Sequence, residues 1–117
     1  MQKFNDSDGV RMVLLDKVDG DWVSKEVKIN SIEEIKGRVS DDGSITQVNL
    51  DLHRKIFYSI GNLLKLEKPQ IQARVLDSDG EICFMVHPLL LCECDDVKPV
   101  DLSEEVEKSI KSAIDFY

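Results

Sequence analysis

Glycine is scarce in this chain: six in 117 residues, at positions 9, 20, 37, 43, 61 and 80. Such spacing spells neither a dinucleotide-binding fingerprint nor a phosphate-cradling P-loop, because both need closely spaced glycines so that backbone can approach a phosphate. The nearest nucleophile elbow, Ser59 before Gly61, has Phe57 where the first glycine belongs, and that ring would obstruct the strained turn. Cysteine is sparse as well. Cys83, Cys92 and Cys94 are an odd number, and Met1 to Gly9 shows neither an apolar signal stretch nor an Arg-rich amphipathic pattern. Reduced thiols in the cytosol are therefore expected, not a disulfide framework. Long apolar runs are missing. The best candidate, Ile82 to Cys92, contains His87 and Pro88 and reaches about half of the roughly 20 residues that span a bilayer. Positive charge is also short, with 15 Lys plus Arg against 23 Asp plus Glu, a net charge of −8. That sign disfavours nucleic acid and the anionic membrane surface, both of which are bound through Lys and Arg.

What is present is an ordinary globular balance, 42% hydrophobic and 32% charged, which suits one α+β domain over residues 1–117 with residues 1–8 as a flexible tail. Asp-Gly pairs at 8–9, 19–20, 42–43 and 79–80 mark turns, since Gly accepts positive φ and Asp bonds its own backbone. The first hairpin runs from Val10 to Asp16, turns at Val18 to Asp21 and returns over Trp22 to Ile29. The second is expected over Ile35 to Ser40 and Ser44 to Leu52, whose alternation of Thr46, Val48, Leu50 and Leu52 against Gln47, Asn49 and Asp51 reads as a strand. Ser44 to Gln47 also resembles a capping box, so a long helix with Ile45, Val48, Leu52, Ile56 and Ile60 in one stripe is the competing assignment.

A middle helix is expected over His53 to Lys68, from Ile56, Ile60, Leu63 and Leu64 at helical spacing, ending before Pro69. Gly61 weakens it, leaving room for a short strand near Phe57 and Tyr58. The third hairpin runs over Gln70 to Leu76 and Glu81 to His87, and the apolar character of both faces of Ile82 to Val86 predicts a central, doubly covered strand. The chain then leaves through Pro88 to Leu91 into an acidic connection. Ser103, Glu104 and Glu105 open a C-terminal amphipathic helix with the stripe Val106, Ile110, Ala113, Ile114 and Tyr117. If Ile56 to Ile60 is a strand, seven strands and a terminal helix resemble a pleckstrin-homology-like small barrel, an analogy of fold that says nothing about ligand. The long Pro88 to Leu102 connection departs from that pattern.

Motifs with chemistry are few. The aspartate-rich turn before Gly80 lacks the acids of a calcium loop: Val75 and Val86 stand where two ligands belong. Cys83, His87, Cys92 and Cys94 have metal-ligand residue types but no C-x-x-C knuckle, and Cys83 and His87 would lie roughly 13 Å apart in a strand. No metal or other cofactor is expected. Glu93, Asp95 and Asp96 beside Cys92 and Cys94 should raise the thiols and blunt them as nucleophiles. Asp51 and His53 could form an acid–base dyad, without any accompanying nucleophile or oxyanion feature. Trp22 reads as a core or hairpin-closing residue. No enzyme is expected, and a small enzyme built from Asp51, His53 and Cys83 is the weakest of three readings.

Charge distribution carries the rest. Residues 92 to 107 hold Glu93, Asp95, Asp96, Asp101, Glu104, Glu105 and Glu107 against Lys98 alone, a local −6, while 53 to 68 hold Arg54, Lys55, Lys65 and Lys68 against Glu67, a local +3. Clustered charge steers association. The leading expectation is a protein-binding domain of inhibitor, immunity or adaptor type that meets a basic partner, or the basic segment of a second copy, through Glu93, Asp95, Asp96, Glu104, Glu105 and Tyr117. The alternative is an assembly subunit that forms a homo-oligomer through its terminal helix or edge strands.

Overall fold

The computed structural model describes residues 3–4, 8–65 and 71–117. They form strands β1 (Val10–Val18) and β2 (Asp21–Ile29), helix α1 (Ile32–Val39), strands β3 (Thr46–Asn49) and β4 (Arg54–Tyr58), and a 3-10 segment (Ile60–Lys65). Strands β5 (Ala73–Leu76), β6 (Ile82–Met85), β7 (Leu89–Asp95) and β8 (Lys98–Val100), helix α2 (Glu104–Ala113) and a short β9 (Asp115–Phe116) follow. The strands make two antiparallel sheets, a large one ordered β2-β1-β7-β4-β3 with β8 on β7, and a small one ordered β6-β5-β9. The expected α+β class holds. The barrel alternative does not, because β2 and β3 end at opposite edges of the large sheet and β5, β6 and β9 pair among themselves.

Side-chain alternation along the strands builds three layers. Leu90, Cys92 and Cys94 of β7 join Phe57, Met12, Val27 and Ile29 beneath Ile35 and Val39 of α1. Leu89 and Leu91 point the other way, into a cluster with Ile56, Ile110 and Ile114, and with Ala73, Val75 and Met85 of the small sheet. The large sheet is thus the middle layer, with α1 on one face and α2 plus the small sheet on the other. Burying each of these leucines contributes roughly 1.5–3 kcal/mol.

The first and third hairpins form as expected. Val18 pairs with Asp21, and the two residues between, Asp19 at φ 54° and Gly20 at φ 87°, have the doubly left-handed geometry of a tight hairpin turn. Leu76 pairs with Ile82; Gly80 sits at φ 81°, and the Asp77 carboxylate accepts N–H groups of Asp79 and Glu81, each at 2.9 Å.

The second hairpin and the middle helix exchange places. Residues 35–39, expected as a strand, belong to α1, and residues 54–58, expected as helix, are β4 paired with β3. For α1 the reason is its start: Ser31 Oγ accepts the Glu34 N–H at 3.2 Å, and the Glu34 carboxylate reaches back to the Asn30 N–H. That is a capping box spelled Ser31-Ile32-Glu33-Glu34, and Ile35 and Val39, four apart, bury one face. For β4 the reason is that Ile56, Phe57 and Tyr58 are all buried, which requires a strand covered on both faces. A long helix through residues 45–60 is excluded by the β3–β4 ladder. The expected end of the middle helix at residues 66–68, with Pro69 and Gln70 after it, lies outside the described residues.

A second correction concerns the central strand. Ile82 and Phe84 of β6 are 55% and 48% exposed, and among the described residues β6 pairs with β5 alone. The doubly covered strand is β7, read from sequence as an exit, because it enters between β1 and β4. Between the two, the His87–Pro88 peptide is cis. Helix α2 begins as expected, with Ser103 Oγ accepting the Val106 N–H at 3.2 Å, and its Val106, Ile110 and Ile114 stripe packs on its own sheet. Of the amino-terminal residues, Phe4 donates its N–H to the Asn30 carbonyl at 2.8 Å and packs against the α1-side cluster. Residues 1–2 and 5–7 of the expected tail lie outside the described set. Among the described residues, no helix is long and apolar enough to cross a membrane.

Candidate functional site

The acidic stretch divides into two groups. Three carboxylates are engaged inside the fold. Glu93 Oε1 accepts the Ser103 N–H at 2.9 Å, and Asp101 Oδ1 accepts the Arg11 N–H at 2.7 Å. Glu107 Oε1 takes Arg11 Nη2 at 2.7 Å while its Oε2 takes Lys111 Nζ at 2.7 Å. Arg11 completes the clasp with Nε on Glu26 at 2.6 Å and Nη1 on the Leu102 carbonyl at 2.6 Å. Burial works to raise the Glu107 carboxyl, but the hydrogen bonds and charges of Lys111 and Arg11 outweigh it and hold the group below the usual range. The Glu107 hydrogen bond keeps the Arg11 guanidinium above its ordinary value. These groups staple α2 to β1 and β7.

Asp95, Asp96, Glu104 and Glu105 are different. Their side chains are exposed and form no hydrogen bond or ion pair with any described residue. Strand alternation places Asp95 on the same side of β7 as Glu93, the α2 side, about 6.6 Å further along. Asp96, at φ 57°, and Val97, 83% exposed, form the tip of the β7–β8 turn. Beside that tip lies an open groove of about 580 Å³ lined by Lys3, Phe4, Ile32, Glu33, Val97, Lys98 and Pro99. The site therefore offers an exposed turn tip of Asp95, Asp96 and Val97 with a groove of mixed polar and apolar lining beside it, and a second acidic pair, Glu104 and Glu105, at the start of α2 next to Ser103, which is tied to Glu93. Exposure of Val97 and the groove, formed by residues distant in sequence, had no periodic signal.

Tyr117 is not part of this surface. It follows β9, at the other end of a ten-residue α2 that is about 15 Å long. Its carbonyl accepts Lys17 Nζ at 3.0 Å and Trp22 Nε1 at 3.3 Å, and its N–H donates to Gln72 at 2.9 Å. Trp22 packs partly buried against the core, with its ring 5.1 Å from Phe116. The basic segment is also partly engaged: Arg54 bonds Asp51 at 2.8 Å and Ser109 at 2.7 Å, and Lys65 reaches Asp41 at 3.4 Å. Lys68 lies outside the described residues.

The remaining candidates disperse. Asp51 does not face the His53 ring; Oδ1 accepts the backbone N–H groups of His53 and Arg54, both at 2.8 Å, and His53 Nδ1 lies 3.0 Å from the Cys94 carbonyl. His87 is held by Gln72 Oε1 through both its N–H and Nδ1. Cys83 stays in the small sheet, donating to Asp77 Oδ2 at 3.6 Å, while Cys92 and Cys94 are buried on the α1 face of β7 with their sulfurs 3.9 Å apart. The hydrogen bond between those two thiols pushes Cys92 up and pulls Cys94 below the ordinary thiol range. Burial and the acidic Glu93 act to raise both thiols, as the sequence suggests, while Lys55 draws both down. No three His, Cys, Asp or Glu among the described residues are grouped to hold a metal ion.

No family model, curated protein or solved structure matches this chain. What this site can do follows from its geometry alone. Exposed carboxylates on a turn and a helix start offer long-range attraction to cations, and the exposed valine at the turn tip offers a small dry contact.

Proposed function

We propose that the chain is a non-enzymatic protein-binding domain, of inhibitor, immunity or adaptor type, acting in the cytosol and meeting a basic partner protein through Asp95, Asp96, Glu104 and Glu105 around Val97. One observation carries this reading: within one stretch, Glu93, Asp101 and Glu107 are bound into the fold, whereas these four carboxylates have no partner among the described residues. Glu104 and Glu105 also suit the dipole of α2. Asp96, at φ 57°, also suits the left-handed turn position that aspartate tolerates, whereas Asp95 sits neither at a helix start nor at such a position. The sign of the charge argues against nucleic acid and the membrane surface as partners.

The test compares the wild-type chain with Asp95→Asn/Asp96→Asn/Glu104→Gln/Glu105→Gln as paired baits at low salt and at 1 M salt, where the Debye length shrinks to about 3 Å. A partner retained by the wild type should associate at least tenfold more slowly with the quadruple variant in low salt, with the difference vanishing at 1 M. Equal rates and affinities in low salt would reduce the cluster to a solvated turn and overturn the proposal.

A further inference from the structure

The small sheet has an edge unlike the others. β2 carries Asp21, Lys25, Glu26 and Lys28, and β8 carries Lys98 and Pro99. On the β3 edge, the Asn49 carbonyl already accepts the Ser78 N–H at 2.8 Å, and β9 is only two residues long. Charge, proline and shortness are the usual guards of a free edge. β6, Ile82-Cys83-Phe84-Met85, has neither charge nor proline, and among the described residues β5 is its only partner.

Its backbone polarity is defined by the ladder. Asp77 N–H donates to the Glu81 carbonyl at 2.9 Å and Gln72 N–H to the Met85 carbonyl at 3.1 Å, in a register that pairs Val75 with Cys83. Residues 81, 83 and 85 therefore turn their backbone groups toward β5, and Ile82 and Phe84 turn theirs outward. The side chains of these same two residues lie on the outer face with Leu76. Exposures of 55%, 48% and 58% for Ile82, Phe84 and Leu76 make one apolar strip beside the free edge.

We infer that β6 pairs antiparallel with β6 of a second copy about a two-fold axis at Cys83, which joins the two small sheets into one continuous six-stranded sheet. Register selects a second copy: an axis at Cys83 sets both outward residues of one β6 against both outward residues of the other, and among the described outer-face residues Arg74, Leu76, Ile82, Phe84 and Asp115 the one carboxylate is bound to Arg74 at 3.0 Å, which leaves none for a basic partner. Even spacing on both strands keeps outward side chains together, so Ile82 stands opposite Phe84 of the second copy, and four backbone hydrogen bonds form from groups that have no partner among the described residues. The antiparallel direction also separates like charges. Glu81 of the two copies stands four residues apart, about 13 Å, beyond the physiological Debye length of about 8 Å. This surface is independent of the acidic turn, and the inference does not rest on the proposed partner there.

Sedimentation equilibrium of the full chain between low and high micromolar concentration tests it, together with amide hydrogen exchange at both ends of that range. The expected result is a reversible shift toward twice the chain mass of 13.3 kDa, with Ile82 and Phe84 amides protected only at high concentration. Phe84→Lys and, separately, Ile82→Lys should each weaken dimerisation at least tenfold while the far-ultraviolet spectrum stays unchanged. Val18→Lys, at an apolar position of similar exposure, 50%, on the β1–β2 hairpin, should leave it intact. A monomer throughout the range would overturn the inference, as would a dimer that survives both lysine variants or a dimer whose Ile82 and Phe84 amides remain unprotected.

Discussion

Strands β6 and β7 are separated in the chain only by Val86, His87 and Pro88, and both are apolar, yet they have opposite fates. β7 enters between β1 and β4, so Leu89, Leu90, Leu91 and Cys92 are fully buried. Among the described residues β6 has one neighbouring strand and one covered face, so about half of each of its outward side chains meets water. Local hydrophobicity does not set burial; the number of strands and layers around a segment does. The same comparison separates the two candidate surfaces. The end of β7 leads into charges exposed at a turn, and the edge of β6 exposes backbone groups and apolar side chains.

The contrast can be broken at its strongest point first. Leu91→Ala removes a fully buried side chain that opposes both Val13 and Ile56, and the cavity should cost about 3 kcal/mol in a denaturant titration. A cost below about 1 kcal/mol would mean that β7 is not the centre of the core. Next, Gly80→Val puts a β-branched residue at φ 81°, where backbone strain alone should cost about 2 kcal/mol, since open space surrounds the position.

A third test uses pH. Because the Glu107 carboxyl is held low in the folded state, its contribution is complete above the unfolded pKa of about 4.3 and disappears as pH falls through the lower folded value. Glu107→Gln should therefore cost about 1 kcal/mol at pH 7, with wild type and variant converging near pH 2. A gap that stays constant with pH would remove the ionic clasp from the account. The smallest effect belongs to the edge. Ile82→Ala at a concentration where the chain is monomeric should cost under about 0.5 kcal/mol, several times less than Leu91→Ala, although Ile and Leu are of similar size.

Local pattern was sufficient for the elements whose signals are short-range. Asp19-Gly20 and Asp79-Gly80 announced the first and third hairpins because positive φ is a property of the residues at the turn. Ser103 announced α2 because a cap is made within three residues. The capping signal at Ser31 to Glu34 was equally present in the sequence, and the strand assigned to Ile35 to Ser40 obscured it. The split of the acidic stretch was not readable, since Glu93, Asp101 and Glu107 find their partners only when β1, β7 and α2 meet. Composition and spacing by themselves determined the α+β class, the main turns, the last helix and the acidic character of one end. Tertiary structure alone decided that residues 54–58 extend where their spacing suggested a helix, that β7 and not β6 lies in the middle, and which carboxylates stay free. The physical reason is that the middle of a sheet is defined by hydrogen-bonding neighbours far away in the chain, and no window of local sequence contains them.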